Sequence, residues 1–494
     1  MLFQSDVPSF VTNLEDQRRM FTNHHLSLRA IHLITVVVGL LASSGRLPFA
    51  RADDTLPDLG TRKAGVDWPK FLGPTGDGKS PEKGLLTKWP EGGPKMVWKM
   101  KLGTSYCMPV VAKGRLFMFD RFGDKARLTC SNSETSKELW RFEYASDYED
   151  LYQFDNGPRC CPIVDGNRVY LCGVEGMLHC LRASDGQEIW KVDTVKDFGV
   201  VQNFFGVGST PIIEGDLLIA QIGGSPPDSP PVRSGLTKGN NSGIVAFDKL
   251  TGKVKYKITN ELASYSSPVM STIGDRRFGF VFARSGLVGF EPSQGKVDFE
   301  FPWRAPILES VNASNPVVVG DEVFISEAYD IKHGSVLLKV KPGGSEVVWT
   351  DSTRPRDKSL QTHWNTPIYL DGFLYGCSAR HTQDAELRCI EWSTGKVQWS
   401  EPNLRWSSLT YVDGHFICLS EDGVIRLLKV NPKKYDLVTE LSLKHKPEGE
   451  DPLFPAIQPL LKRPAWAAPI LSHGLLYVRG KDMLVCLEVI PEAK

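Results

Sequence analysis

Cys160-Cys161 is an adjacent cysteine pair that directly follows Arg159 and precedes Pro162-Ile163-Val164. Neighbouring thiols can close into an eight-membered disulfide ring, stay reduced, or bridge elsewhere, and the sequence leaves all three open. The remaining cysteines read differently. Cys130, Cys180, Cys389 and Cys486 recur at one strand position, and Cys172, Cys377 and Cys418 at another, as small buried fillers do. No C-x-x-C or Cys/His spacing of a zinc site occurs. A second group is rich in oxygen donors: Glu309, Asn312 and Asn315, with His363 and Asn365 further along. Carboxylate and amide oxygens of this kind suit calcium, so the first three are candidate metal ligands. There is no G-x-S-x-G, no phosphate-cradling glycine loop and no H-E-x-x-H.

What must position these residues is a repeat. From Arg159 to Val192, apolar bursts at Ile163-Val164, Val169-Tyr170-Leu171, Leu178 to Leu181 and Ile189-Trp190 alternate with the turns Asp165-Gly166, Glu175-Gly176 and Asp185-Gly186. Apolar alternation between glycine turns predicts four short antiparallel strands. One such sheet cannot bury both faces, so it needs neighbours of its own kind. They begin at Pro109, Pro211, Pro268, Pro316, Pro367, Tyr411 and Pro469. The spacing, about 42 to 60 residues, is in the range of four-stranded propeller blades. The eighth copy lacks its last strand, and Met96-Val97-Trp98-Lys99-Met100 ahead of the first copy supplies one. The sequence therefore predicts an all-β, eight-bladed propeller whose last blade is closed by an N-terminal strand, which leaves few open sheet edges.

In such a ring the loop entering each innermost strand opens on one face. The mouth residues are then Tyr106 and Cys107; Arg159 with Cys160-Cys161; Asn203 and Ser209; Tyr265 to Ser267; Glu309, Asn312 and Asn315; His363 to Asn365; Arg405-Trp406; and Trp466. A concave site with aromatics and a few polar groups is a binding-site expectation.

The rest of the chain bounds this reading. Lys plus Arg number 58 and Asp plus Glu 58, so no global basic field exists for nucleic acid or anionic lipid. Residues 1–52 read as an N-terminal extension and signal peptide, with the apolar run Ala30 to Ala42 short for a membrane span and Ala50-Arg51-Ala52 as the cleavage site, an uncleaved anchor being the rival reading. Met20 is an alternative start to Met1. No membrane span is expected in the mature chain from Asp53. Residues 53–95 lack strand pattern but hold Trp68, Phe71 and Trp89, anchors for an extended arm packing on the propeller, which spans 96–494. Gly223 to Asn241 and Lys444 to Arg463 are irregular insertions.

The units P-I-V-D-G-N-R-V-Y … G-M-L-H-C-L-R-A-S-D-G-Q-E-I-W and S-G-I-V-A-F-D-K-L-T-G-K resemble the pyrroloquinoline quinone (PQQ) repeat. The resemblance covers Met96 to Leu487 and has two branches. BamB-like proteins are non-enzymatic envelope scaffolds. Quinoprotein alcohol dehydrogenases hold PQQ and Ca2+ on the ring axis. In the dehydrogenases an adjacent cysteine pair ahead of a strand covers the cofactor, a placement that Cys160-Cys161 matches. By that branch Cys160, Cys161, Arg159, Trp364 and Trp406 are candidate cofactor-binding residues, and Glu309 is the candidate catalytic base. Arg168 lies near the place of a cofactor-binding arginine. The Gly-Ala-Glu segment that supplies a calcium ligand in those enzymes falls where this chain has Gly223-Gly224-Ser225-Pro226, and no C-x-x-C-H occurs. The expectation is an exported, periplasmic or envelope-bound binding or scaffold module with protein partners, a small-molecule ligand in its central funnel being a further expectation. PQQ- and calcium-dependent oxidation of alcohols is the alternative.

Overall fold

Each apolar burst forms one strand and each glycine turn reverses the chain. In the computed structural model, residues 55–330, 333–354, 357–445 and 458–492 are described. The predicted leader, residues 1–52, and its cleavage point lie outside them. In the second repeat, Ile163–Asp165, Arg168–Cys172, Met177–Arg182 and Glu188–Asp193 pair antiparallel in sequence order. Gly166, at φ 56°, takes the left-handed turn between the first two, where a side chain would be strained. The same four-strand pattern recurs in eight sheets. Their innermost strands are Val110–Ala112, Ile163–Asp165, Ile212–Glu214, Val269–Ile273, Val317–Val319, Ile368–Leu370, Ser407–Val412 and Ile470–Ser472. The chain is an eight-bladed propeller. Its last blade is completed by Lys95–Lys101, antiparallel to Met483–Glu488, so the ring closes on itself as the pattern predicts.

Middle strands are buried on both faces and outer strands on one, so the core is a set of apolar layers between adjacent blades. The outermost aromatics join those layers to the next blade. Trp140 donates its indole N–H to the Ala183 carbonyl at 3.2 Å. Trp190 reaches Lys249 O at 3.1 Å, Trp349 reaches Trp392 O at 2.7 Å, and Trp98 reaches Ser133 O at 3.0 Å. Each ring thus buries its apolar body against a neighbour and pairs its one polar atom there.

Regular structure also appears where the sequence showed none. Asp193 caps a short helix, Thr194–Phe198, by accepting from the Lys196 N–H, and Gly199 ends it. Val232–Ser234 forms a single 3-10 turn inside the insertion at 223–241. Lys444–His445 pairs with Gln458–Pro459 at the base of the second insertion. These elements are short, and their local hydrogen bonds give no apolar period to read. No helix of the described residues is long and apolar enough to cross a membrane, which says nothing of β-barrel spans.

The arm is anchored by backbone pairing. Trp68, buried, bridges Val111 of blade 1, and Pro69 O accepts from the Val164 N–H of blade 2 at 2.8 Å. Further on, Gly78 lies against Ile368 of blade 6, and Lys79–Ser80 runs parallel to Tyr411 and Val412 of blade 7. Blades 2 and 6 face each other in a ring of eight, so this segment crosses the ring. Its crossing is pinned at blade 8 by Asp67 on His473 Nε2, 3.0 Å, and by Glu82 on the His473 and Gly474 N–H groups at 2.8 and 2.7 Å. Trp89 packs instead against the layer between blades 7 and 8.

Candidate ligand-binding site

Loops entering the innermost strands converge on one cavity of about 540 Å³. Tyr106 and Met108 come from blade 1, Arg159 and Cys161 from blade 2, Gly208 from blade 3 and Tyr265 from blade 4. Val311 and Ala313 come from blade 5, His363 to Thr366 from blade 6, Trp406 from blade 7, and Trp466 to Ala468 from blade 8. Because all eight blades contribute, the cavity lies on the ring axis. Phe71 and Leu72 of the arm form part of its wall. The volume is that of a small-molecule site.

One side is an aromatic cluster. Trp364 meets Trp406 at 4.4 Å and 71°, and Trp466 at 4.7 Å. Tyr106 meets Trp466 at 4.9 Å. His363 stacks between Tyr329, at 5.1 Å and 25°, and Trp406, at 5.3 Å and 18°. Burial, helped by the charges of Arg380 and His381, pushes His363 down to about 3, so its ring is neutral at neutral pH and stacks as one more flat plate, with Nδ1 buried and without a partner. Glu421 holds this wall from behind. It accepts from Trp466 Nε1 at 2.8 Å, pairs with Arg463 at 2.8 Å and Arg405 at 3.8 Å, and takes the Thr382 hydroxyl. A carboxylate with no exposed surface is tolerable only with such partners.

The structure separates the other candidates. Arg159 is on the wall, but its guanidinium is committed to Gly157 O at 2.6 Å, Asp155 O at 2.8 Å and the Asp150 carboxylate at 3.6 Å. Cys160 and Cys161 are buried thiols. Their sulfurs turn apart: Cys160 Sγ faces Ser209 O at 3.4 Å, whereas Cys161 Sγ accepts the Met108 N–H at 3.3 Å and lines the cavity. Burial pushes the Cys161 thiol well up, and hydrogen bonding with Cys172 and burial do so for Cys160, so neither is a nucleophile. Arg168 is the first residue of a second strand, in the hairpin with Asp165.

Calcium does not fit the predicted donors. Asn312 directs its amide N–H groups to Ala283 O, 2.8 Å, and Trp303 O, 3.2 Å, and Asn315 Oδ1 accepts the Ser267 N–H at 2.8 Å. Both side chains tie loops together. Glu309 is exposed and outside the cavity lining, though its charge bears on the phenols of Tyr152 and Tyr329. Among the described residues no group of three or more His, Cys, Asp or Glu could hold a metal ion. Arg159, the buried arginine of the wall, is already paired, so the cationic groups with charge to spare stand at the rim.

Mouth residues that the repeat could not reveal are Tyr329, Arg380 and His381, on loops after second strands, and Phe154 and Phe205, on connections between blades. They lie outside the repeating unit. Their signal was weak: Phe204-Phe205 and Tyr152 to Phe154 are aromatic pairs in segments without strand pattern.

A ring of four-stranded blades closed by an N-terminal strand, with an axial mouth built from strand-entry loops, is a β-propeller with a ligand-sized axial cavity. The family model described as outer membrane protein assembly factor BamB matches residues 125–401; that is more than half of the chain, which belongs to this family. No curated protein matches the sequence. Among solved structures, BamB from Moraxella catarrhalis is similar at a TM-score of 0.52 and 12% identity, covering 81% of this chain and 99% of that one. Quinohemoprotein alcohol dehydrogenase from Comamonas testosteroni is similar at 0.55 and 12%, covering 87% and 81%. At this identity the likeness shows the fold alone.

Proposed function

We propose that the chain is an exported binding propeller of the cell envelope: its outer surface serves as a scaffold for protein partners and its axial cavity takes a small organic ligand. The observation that carries the reading is the cavity itself, walled by aromatics from blades 1, 6, 7 and 8 and, among the described residues, without a converging carboxylate set. Membership of the BamB family supports the envelope and scaffold parts. The three segments 1–52, 53–95 and 96–494 then serve as leader, cross-ring arm and binding ring.

The neutral dye Nile red tests the cavity. The full chain should bind it with a fluorescence rise, and Ala313→Trp, which puts an indole into the cavity wall, should abolish that rise without lowering thermal stability. Unchanged binding in the variant defeats the cavity reading. A pull-down from envelope extracts with no partner at any ionic strength defeats the scaffold reading. PQQ- and Ca2+-dependent alcohol oxidation is the competing outcome.

A further inference from the structure

We propose that the axial cavity receives an amphipathic organic monoanion, with a ring-bearing apolar body inside and a single carboxylate or similar anionic group at the mouth. This rests on the reading of the cavity as a ligand site and adds the chemistry of the ligand.

Charge at the mouth carries the argument. Among the described residues no lining residue is acidic, while Arg159, Arg380, His381 and Arg463 are all in the lining. Arg159 is paired internally. Arg463 and Arg405 share the single carboxylate of Glu421, so that trio retains a positive charge. Arg380 is exposed and has no carboxylate partner among the described residues. Its contacts are Tyr329 O at 3.3 Å and the Tyr329 ring at 5.2 Å. Arg159 belongs to blade 2, but Arg380, Arg405 and Arg463, the arginines that are not fully neutralised, come from blades 6, 7 and 8. Across the ring the lip is aromatic: Phe154, 57% exposed, meets Phe205 at 6.0 Å, and Tyr152 meets Phe205 at 5.4 Å, with Glu309 and Asp150 outside the lining but close enough for their charges to bear on the Tyr152 phenol.

The mouth therefore has one cationic side and one aromatic side over an aromatic interior. A cationic ligand, otherwise suited to an aromatic cage, would meet net positive charge. A sugar could stack on the rings, but apart from His363 Nδ1, Trp364 Nε1 and Asn365 Oδ1 the wall has few buried polar atoms without a partner to pair with hydroxyls around its whole perimeter. A molecule with carboxylates on several edges would bury some of them beside rings whose nearby arginine is engaged. One anionic group at the rim matches both halves.

Fluorescence titrations of the full chain with three dyes test this. 8-Anilinonaphthalene-1-sulfonate is a ring-bearing monoanion, Nile red is neutral, and thioflavin T is cationic. The sulfonate should bind with an affinity that falls as salt rises. Arg380→Glu should weaken it by about tenfold and leave Nile red within twofold. Arg380→Gln, an uncharged change at an exposed site, should weaken it less and controls for folding. Thioflavin T should bind the wild type more weakly than Arg380→Glu. Nile red binding with sulfonate affinity indifferent to both substitutions overturns the anion assignment and leaves the cavity reading standing. Failure of both dyes to bind overturns the cavity reading.

Discussion

Glu421, fully buried, accepts the indole N–H of Trp466 at 2.8 Å. One carboxylate thereby fixes an aromatic plate of the cavity wall and neutralises part of its cationic rim. Glu421→Ala removes the acceptor and frees Arg463 and Arg405, both about half exposed. Hydrogen bonds to charged groups contribute roughly 1.5–3 kcal/mol each. Because the arginines can turn to water, we expect a loss of about 2–3 kcal/mol on urea unfolding, with a blue-to-red shift of tryptophan emission as Trp466 loosens. An unchanged midpoint and spectrum would remove Glu421 from the wall.

Gly186 and Trp140 test the inter-blade contact. A Cβ on Gly186, at φ 79°, would stand 2.5 Å from the Trp140 ring. Gly215, at φ 58°, has nothing within 4 Å of the same position. Both substitutions to Ala carry the left-handed strain of about 1–2 kcal/mol, but only Gly186→Ala also displaces a packed ring. Urea midpoints should show Gly186→Ala the more destabilising by at least about 1 kcal/mol. Equal losses would mean that the ring contact contributes nothing.

His473 makes the arm sensitive to pH. The hydrogen bond to Asp67 raises its pKa, joined by Ala64 O and the charges of Asp67 and Glu82, against the opposing effect of burial. A raised folded pKa means that the stabilisation is complete below the unfolded value, about 6.5, and is lost as pH rises through the folded value. Amide exchange at residues 66–68 should therefore quicken from pH 6 to pH 8, after correction for intrinsic rates, relative to blade 4. His473→Gln should flatten that dependence. Exchange that slows with pH would contradict the assignment.

Cysteine accounting tests the thiols. The structure has all ten cysteines free and buried. Without reductant, native protein should resist alkylation, and unfolded protein should take up ten groups by intact mass. Two fewer would place a disulfide in the chain, Cys160-Cys161 being the first place to look.

The ring was legible because its signals are local and repeated. Asp165-Gly166 and its counterparts fix the hairpins, and Trp140 and Trp190 mark outer strands at the same offset. Strand-entry loops followed from that frame, so Tyr106, Arg159, Cys161, Tyr265, Trp364, Trp406 and Trp466 share a cavity as their positions predict. Side-chain direction did not follow. Cys160 and Cys161 face opposite ways because neighbours on an extended chain alternate. Asn312 and Asn315 carry oxygens but bond to backbone, as amides in loops commonly do. Arg380 and Tyr329 lie on loops outside the repeat, so no period marks them. The crossing of the arm depends on pairing with Val111 and Tyr411, more than forty and three hundred residues away, which no local pattern encodes.

The central claim, a binding ring in place of a calcium-dependent quinoprotein, is tested most directly by thermal shift of the full chain with PQQ, with and without Ca2+. A tight specific ligand in large excess raises stability by a few kcal/mol. The account predicts no calcium-dependent increment, because Asn312 and Asn315 are engaged in loops and Glu309 stands outside the cavity. A calcium-dependent shift that disappears in Glu309→Gln would contradict it and restore the oxidoreductase reading.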